Sequence, residues 1–582
     1  MKKQFLFFLL FISFQLSKAQ LDFGGGEKFT RADSLRGTLS EFRSCYDVLL
    51  YDLDIKVDIE NKFLSGSNTI KFLATTDFRK LQIDLFENMQ IEKIEFKNQN
   101  VTYTREFNAV FISFSEEIKK GSVQFLKIYY SGYPQVAKNP PWDGGFSWNK
   151  DKDGNPFVGV SCQGTGASLW WPCKDHQSDE PNEMVIRIAV PSELTEVSNG
   201  RLKNKIDLKN GYTKFEWYVS YPINNYDVTI NIAKYKHFNE SYYNSKYSDS
   251  LTLDYYVLPN NYEKAKKQFA QVKPMLNCFY NYFGEYPFVR DGYKLVEAPY
   301  LGMEHQSCVA YGNKYKNGYL GYDRSGTGYS FDFIIIHESA HEWWGNSITT
   351  NDIADMWIHE GFGTYAEALY IECLYGYDAY LEYINSEVKG VDNDKPLVGA
   401  FGVNNEGSGD MYPKGALLLH TIRSIINNDK KFFEIIKGIH ETFKYQTVNS
   451  KDVENYISEK SGIDFSEIFD LYLRTANIPK LSIKIEKVYD DLKITYRYTL
   501  GGGSSFKDFE YHEKQPAFSM PVKVTVEKDK YDFVFPTNQW QTMTLRDMRP
   551  EDFKIATNLF YIDKETIFIN EDENQMHFQD IK

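Results

Sequence analysis

Hydrophobic and polar residues alternate in short runs from about Cys45 to Tyr235, as in Tyr51-Asp-Leu-Asp-Ile-Lys-Val-Asp-Ile59 and Met184-Val-Ile-Arg-Ile-Ala-Val190. A period of two sends one side of each run into a core and the other toward water, which predicts antiparallel strands and an N-terminal β domain over 20–235. From about Lys236 to Asn477 the period becomes helical: over Glu263–Phe283, in two segments between Ser330 and Gly376, over Lys414–Ile426, and around Phe432 and Val453. This predicts a mainly helical domain over 236–477. Alternation returns after Pro479, in Leu481-Ser-Ile-Lys-Ile-Glu-Lys-Val488 and Val522-Lys-Val-Thr-Val526, with Gly501-Gly-Gly-Ser-Ser505 as a linker-like turn between them. The end of the chain, 478–582, therefore reads as a small β-sandwich, with Asn477-Ile-Pro479 marking its boundary. The fold class is multidomain α+β, and 582 residues suffice for three domains with ample cores.

Composition narrows the setting. Lys2 and Lys3, the apolar run Phe5–Phe14 and the Ser17-Lys18-Ala19 end make residues 1–19 a secretory signal peptide, so the mature chain is expected to start near Gln20 in the periplasm or outside the cell. No later apolar run is long enough to span a bilayer, so stable membrane insertion is not expected. A net charge of −14 argues against a nucleic-acid partner, whose phosphates need a basic face. Six cysteines are few for this length and form neither a disulfide framework nor a metal cluster. Cys162 and Cys173 are left either as a disulfide or as two small buried hydrophobes.

The candidate chemistry lies in Ile336-His337-Glu338-Ser-Ala-His341. On a helix, positions i and i+4 share a face, so His337 and His341 converge on one metal ion, and Glu338 can reach a bound water without taking a coordination position. After eighteen intervening residues (342–359), a second helical segment offers Glu360. Two histidines and one glutamate complete a catalytic zinc site, one Zn2+ per chain, that keeps its fourth position for water. Glu367, two turns on, is either the acceptor that fixes the tautomer of a ligand histidine or an ordinary exposed acid. His359 and Glu342 neighbour the ligands at the wrong angle.

These residues resemble the aminopeptidase N family of gluzincins, which includes the leukotriene hydrolases. Tyr300-Leu-Gly302-Met303-Glu304-His305 is similar to its Gly-x-Met-Glu-Asn loop, and Met411-Tyr412-Pro413-Lys414-Gly415 to its Tyr-Glu-Lys-Gly segment. Ser161-Cys162-Gln163 with Trp171-Pro-Cys173-Lys-Asp175 is similar to its Gln-Cys-Gln/Glu and Pro-Cys-x-Asp pair. The resemblance implies that Glu304, with Gly302, Met303 and Gln163, holds the free amine of a peptide. It also implies that Tyr412 donates to the oxyanion while Glu338 serves as general base toward a zinc-bound water, removing one N-terminal residue at a time. It implies a saddle-like β domain, a thermolysin-like catalytic domain and a β-sandwich, here as a form without the C-terminal helical domain, whose more open cleft is expected to accept longer peptides. Leu301, His305 and Pro413 depart from the family pattern, which bears on the backbone path of the amine-binding loop and on substrate preference. Two other readings share parts of this site: a thermolysin-type endopeptidase, which does not need Glu304, and a binding protein without turnover, which would be expected to have lost Glu338 or Tyr412.

Overall fold

The computed structural model describes residues 28–244, 250–501 and 518–569. The expected leader, 1–19, and most of the glycine-rich turn, within 502–517, lie outside them. The alternating N-terminal runs form an eight-stranded sheet in which Tyr46–Asp58 lies beside Phe63–Ala74 and Glu183–Pro191. Tyr51, Leu53, Ile55 and Val57 point into its core while Asp52, Asp54 and Lys56 face outward, as a period of two requires. One pairing departs from the antiparallel expectation: Tyr46–Asp58 and Glu183–Pro191 run parallel, from Leu50 opposite Glu183 to Lys56 opposite Ala189. More than a hundred residues separate these two strands, so no hairpin constrains their direction. Four-stranded and three-stranded sheets complete this β-rich region, with Trp170 and Trp171 fully buried in its core.

The segment expected to be helical from Lys236 opens with a sheet instead. Lys236–Tyr242, Leu251–Val257, Tyr293–Glu297, Val309–Tyr311 and Gly302–Met303 form a mixed five-stranded sheet in that spatial order, with Gly302–Met303 at its edge. The helix expected over Glu263–Phe283 is broken into Tyr262–Gln268 and Val272–Phe283 by a 3-10 turn at Phe269–Gln271. Pro274 falls in the first turn of the second helix, where its missing N–H leaves no gap in the ladder. Helices Phe333–Ala340, Trp357–Tyr375 and Pro413–Ile426 pack behind this sheet in one hydrophobic core.

The structure decides between the two readings left open for Cys162 and Cys173. Cys278 and Cys373 are disulfide-bonded, tying helix Val272–Phe283 to the end of helix Trp357–Tyr375, while Cys162 and Cys173 are free, buried thiols. Beyond Ile478 the strands form a four-stranded sheet and a separate two-stranded one. Strands Ile478–Val488 and Asp563–Ile569 pair in parallel. Among the described residues no helix is long and apolar enough to cross a membrane.

Candidate active site

The helix Phe333–Ala340 is buried along nearly its whole length, because Ile334, Ile335 and Ile336 fill the core beneath it. Asp332 caps its start by accepting from the N–H of Ile335. The regular helix ends at Ala340. His341 follows as its C-cap with helical angles, φ −63° and ψ −18°, so it stays one turn above His337. The chain then turns back through Gly345, whose φ of +135° suits glycine.

Both imidazoles are oriented from behind. The Nδ1–H of His337 donates to Glu367 Oε1 at 2.7 Å, and the Nδ1–H of His341 donates to the carbonyl of Trp344 at 2.9 Å. Glu367 is itself held by the hydroxyl of Tyr383 at 2.6 Å. With Nδ1 carrying the proton in both rings, the two Nε2 atoms face one another at 3.2 Å. Glu360 Oε2 lies 3.4 and 3.5 Å from them and has no hydrogen-bond donor of its own. Two nitrogens and a carboxylate oxygen turned on one point, all buried, fit the donor set that would hold a zinc ion. Glu304, Glu338 and His341 also bring donor atoms within 4.8 Å of one another, so two further carboxylates border the same point. His359 and Glu342 lie outside the set: the former accepts the N–H of Thr350, the latter that of Ser307.

The electrostatics follow from burial and proximity. Burial opposes charge on the rings, yet Glu360 and Glu367 hold His337 well above the ordinary imidazole range, and Glu360 with Glu304 lifts His341 to about 9. Burial likewise opposes ionisation of Glu360, but His341 and His337 outweigh it and keep the carboxylate below its usual range. Metal binding to these rings is therefore coupled to proton release. Because the metal needs both rings deprotonated, zinc affinity is expected to rise with pH from 6 toward about 9. Competition with a chromogenic chelator across that range checks this, and a flat profile would contradict it.

Burial pushes Glu338 up to about 8, with His337 opposing the rise and Glu304 adding to it. A bound cation beside this group favours its ionised form. Its position depends on Gly302, where an added Cβ would lie 2.6 Å from Glu338 Oε1 and 2.7 Å from Ile334 Cγ2. Gly302→Val is therefore expected to displace Glu338 and lower kcat by roughly 100-fold while zinc is retained, since misplacing a reacting group by about 1 Å carries that cost. Steady-state kinetics beside a zinc assay decide it; an unchanged kcat would sink the argument.

Glu304 follows the edge strand Gly302–Met303 and is buried, with Met303 buried beside it. Gln163 Nε2 donates to Glu304 Oε1 and lies 3.4 Å from Glu360 Oε1. Asn346 Nδ2 donates to the Glu304 carbonyl at 2.7 Å, tying this loop to the turn after His341. The three departures from the family pattern are accommodated. The Leu301 carbonyl accepts from Gly312 N–H at 2.7 Å, which holds the backbone to the sheet; His305 is buried and kept neutral, its pKa lowered to about 3 by burial; Pro413 occupies the first position of its helix, where its fixed φ suits the geometry. Tyr412, just before that helix, stacks on His337 with ring centroids 6.0 Å apart. Burial, then Glu360 and Glu304, hold its phenol protonated well above the usual range, which keeps it a donor. Its helix touches the Glu360 helix through paired glycines: a Cβ on Gly361 would lie 3.1 Å from the Gly415 Cα.

This geometry has counterparts among known proteins. The family model for the Peptidase family M1 domain matches residues 266–472, and that for the Peptidase M1 N-terminal domain matches 48–226. The chain belongs to peptidase family M1. Among curated M1 relatives, glutamyl aminopeptidase of Rattus norvegicus is 23% identical over 466 residues, covering 74% of this chain and 47% of that protein. Aminopeptidase 2 of Candida albicans is 20% identical over 492 residues, covering 81% and 51%. The chain thus spans about half the length of the curated relatives it matches. The crystal structure of an M1 zinc metallopeptidase from Deinococcus radiodurans superposes with a TM-score of 0.62 at 20% identity, over 75% of this chain and 94% of that one. Zinc is the metal of this family, and the donor set here fits it.

The M1 cleft encloses about 480 Å3 and brings together Gln163, Gly302, Met303, Glu304, His337, Glu338, His341, Glu360, Glu367 and Tyr412. It also holds residues that sequence reasoning missed: Trp142, Tyr319, Arg324, Glu387 and Glu406. They sit on connections far apart in the chain, with no spacing to link them to the zinc motif.

Proposed function

We propose that this M1 chain is a zinc aminopeptidase that hydrolyses the first peptide bond of substrates with a free N-terminus. The observation that carries the reading is the buried carboxylate of Glu304, held by Gln163 and sharing a 4.8 Å neighbourhood with Glu338 and His341. An amino-acid residue spans about 3.3–3.6 Å of chain. An ammonium group paired with Glu304 therefore leaves room for one residue before the carbonyl reaches the metal site, so the cleaved bond is the first.

His337, His341 and Glu360 would hold the ion, which would supply a Lewis acid and make water more acidic at the site. Glu338 takes the proton from the attacking water and delivers it to the departing amine. Tyr412 donates its phenolic hydrogen to the oxygen on which negative charge develops. Glu367 keeps the His337 Nδ1 proton in place, leaving Nε2 free for the metal. An endopeptidase would need Glu338 but have no use for a second carboxylate, Glu304, beside it, and a binding protein would not need both Glu338 and Tyr412.

The same reading places the chemistry in a thermolysin-like unit over 236–477, between a saddle-like β domain over 20–235 and a β-sandwich over 478–582. The apolar run after Lys3 and the Cys278–Cys373 disulfide support export to an oxidising compartment. Glu304→Ala tests the function. For aminoacyl anilides KM is expected to rise by roughly 10–100-fold, the worth of one charge-assisted contact, and the preference for free over N-acetylated substrates to collapse. A variant that kept the wild-type preference would refute the role given to Glu304.

A further inference from the structure

A second cavity of about 600 Å3 adjoins the catalytic cleft and shares Trp142, Leu301 and Tyr319 with it. Three lysines line it from three separate elements: Lys150 at the end of strand Gly145–Lys150, Lys264 on helix Tyr262–Gln268, and Lys314 just after strand Val309–Tyr311. All three are exposed, and among the described residues none forms an ion pair. The one acid in its wall, Glu297, is buried and already accepts from the Leu258 N–H at 2.7 Å and the Asn261 side chain at 2.6 Å.

The edge strand gives this cavity a direction. Gly302–Met303 pairs only on its Val309–Tyr311 side, so its other edge is open to an extended peptide adding as a further strand. On the reading proposed above, the peptide amine sits at Glu304 and the reacting bond beside Gly302, where Glu338 approaches. A chain continuing the same way passes Leu301 and enters the lysine-lined cavity, antiparallel to the strand. At about 3.3 Å per residue, the part that arrives there is roughly the second to fourth residue of the substrate.

We propose that this cavity is a carboxylate-binding subsite for the portion of the substrate beyond the cleaved bond, with Lys150, Lys264 and Lys314 as its cationic ligands. The carboxylate comes either from the C-terminus of a short peptide or from an Asp or Glu side chain of a longer one. The subsite therefore favours acidic downstream sequences without affecting the choice of first residue.

The test uses binding to the Glu338→Gln protein, which does not depend on turnover. Three peptides are titrated calorimetrically: Ala-Ala-Ala-amide, Ala-Ala-Ala with a free carboxylate, and Ala-Ala-Glu-Ala-amide. At low salt at least one of the two acids is expected to bind about tenfold more tightly than the neutral amide. Which acid does so identifies the source of the carboxylate, and the advantage is expected to shrink at high salt. Combined Lys150→Gln, Lys264→Gln and Lys314→Gln substitutions, all at exposed positions, are expected to remove the advantage and leave the amide unchanged. Equal affinity for all three peptides, no measurable binding of either acid, or an equal loss for all three in the triple variant would overturn the proposal. Hydrolysis of alanine p-nitroanilide by the wild type separates the two readings. Turnover without an acid preference defeats the subsite alone, and an acid preference without turnover leaves the subsite standing while the aminopeptidase reading falls.

Discussion

Glu338→Gln is expected to lower kcat by roughly 1,000-fold with little change in KM or zinc content, a positioned general base being worth about 10²–10⁴. The amide keeps the size of the carboxylate but replaces one acceptor oxygen with an NH2 donor and cannot take a proton. Glu338 lies beside the ligand set without belonging to the His337, His341 and Glu360 triad, so the metal site is expected to survive the change. The environment sharpens the prediction: burial raises the carboxyl to about 8, so the free site resists ionising Glu338, and the base becomes competent beside a bound cation. Steady-state kinetics on an aminoacyl anilide, with zinc measured on the same sample, check it. A kcat within tenfold of wild type would assign the base to another group.

Tyr412→Phe is the second large effect. Removing one preorganised donor to a developing oxyanion costs about 10²–10³ in kcat. The phenol is half-buried against the His337 ring, and its proton is held by burial and by the surrounding carboxylates, so it offers a donor and no competing base. The backbone contact between Gly361 and Gly415 links its helix to the one bearing Glu360, so the loss is expected in kcat with KM and zinc content steady. Kinetics of the purified variant decide; a loss confined to KM would make Tyr412 a substrate contact only.

How much of this was readable from the chain depends on the range of the interaction. The convergence of His337 and His341 needs only one helical turn, and the Glu360–Glu367 relation needs two, so local periodicity was enough to suggest them. Strands such as Tyr46–Asp58 were legible because one face is buried and the other wet. The five-stranded sheet was not, because Tyr293–Glu297 is buried at every position and so lacks alternation, while Gly302–Met303 is only two residues long. The parallel pairing of Tyr46–Asp58 with Glu183–Pro191 and the Cys278–Cys373 bond, 95 residues apart, are set by tertiary packing, which leaves no local trace. The second cavity is of the same kind: Lys150, Lys264 and Lys314 are ordinary surface lysines until three distant elements bring them to one wall.

The most direct test of the account is a mass-spectrometric time course with a single peptide and its N-acetylated twin, using the zinc-loaded protein. The account predicts a ladder in which the free peptide loses one residue at a time from its N-terminus while the acetylated peptide stays intact. Internal fragments, or equal degradation of the acetylated twin, would contradict the claim that Glu304 reads the amine and sets the bond that Glu338 helps to cleave.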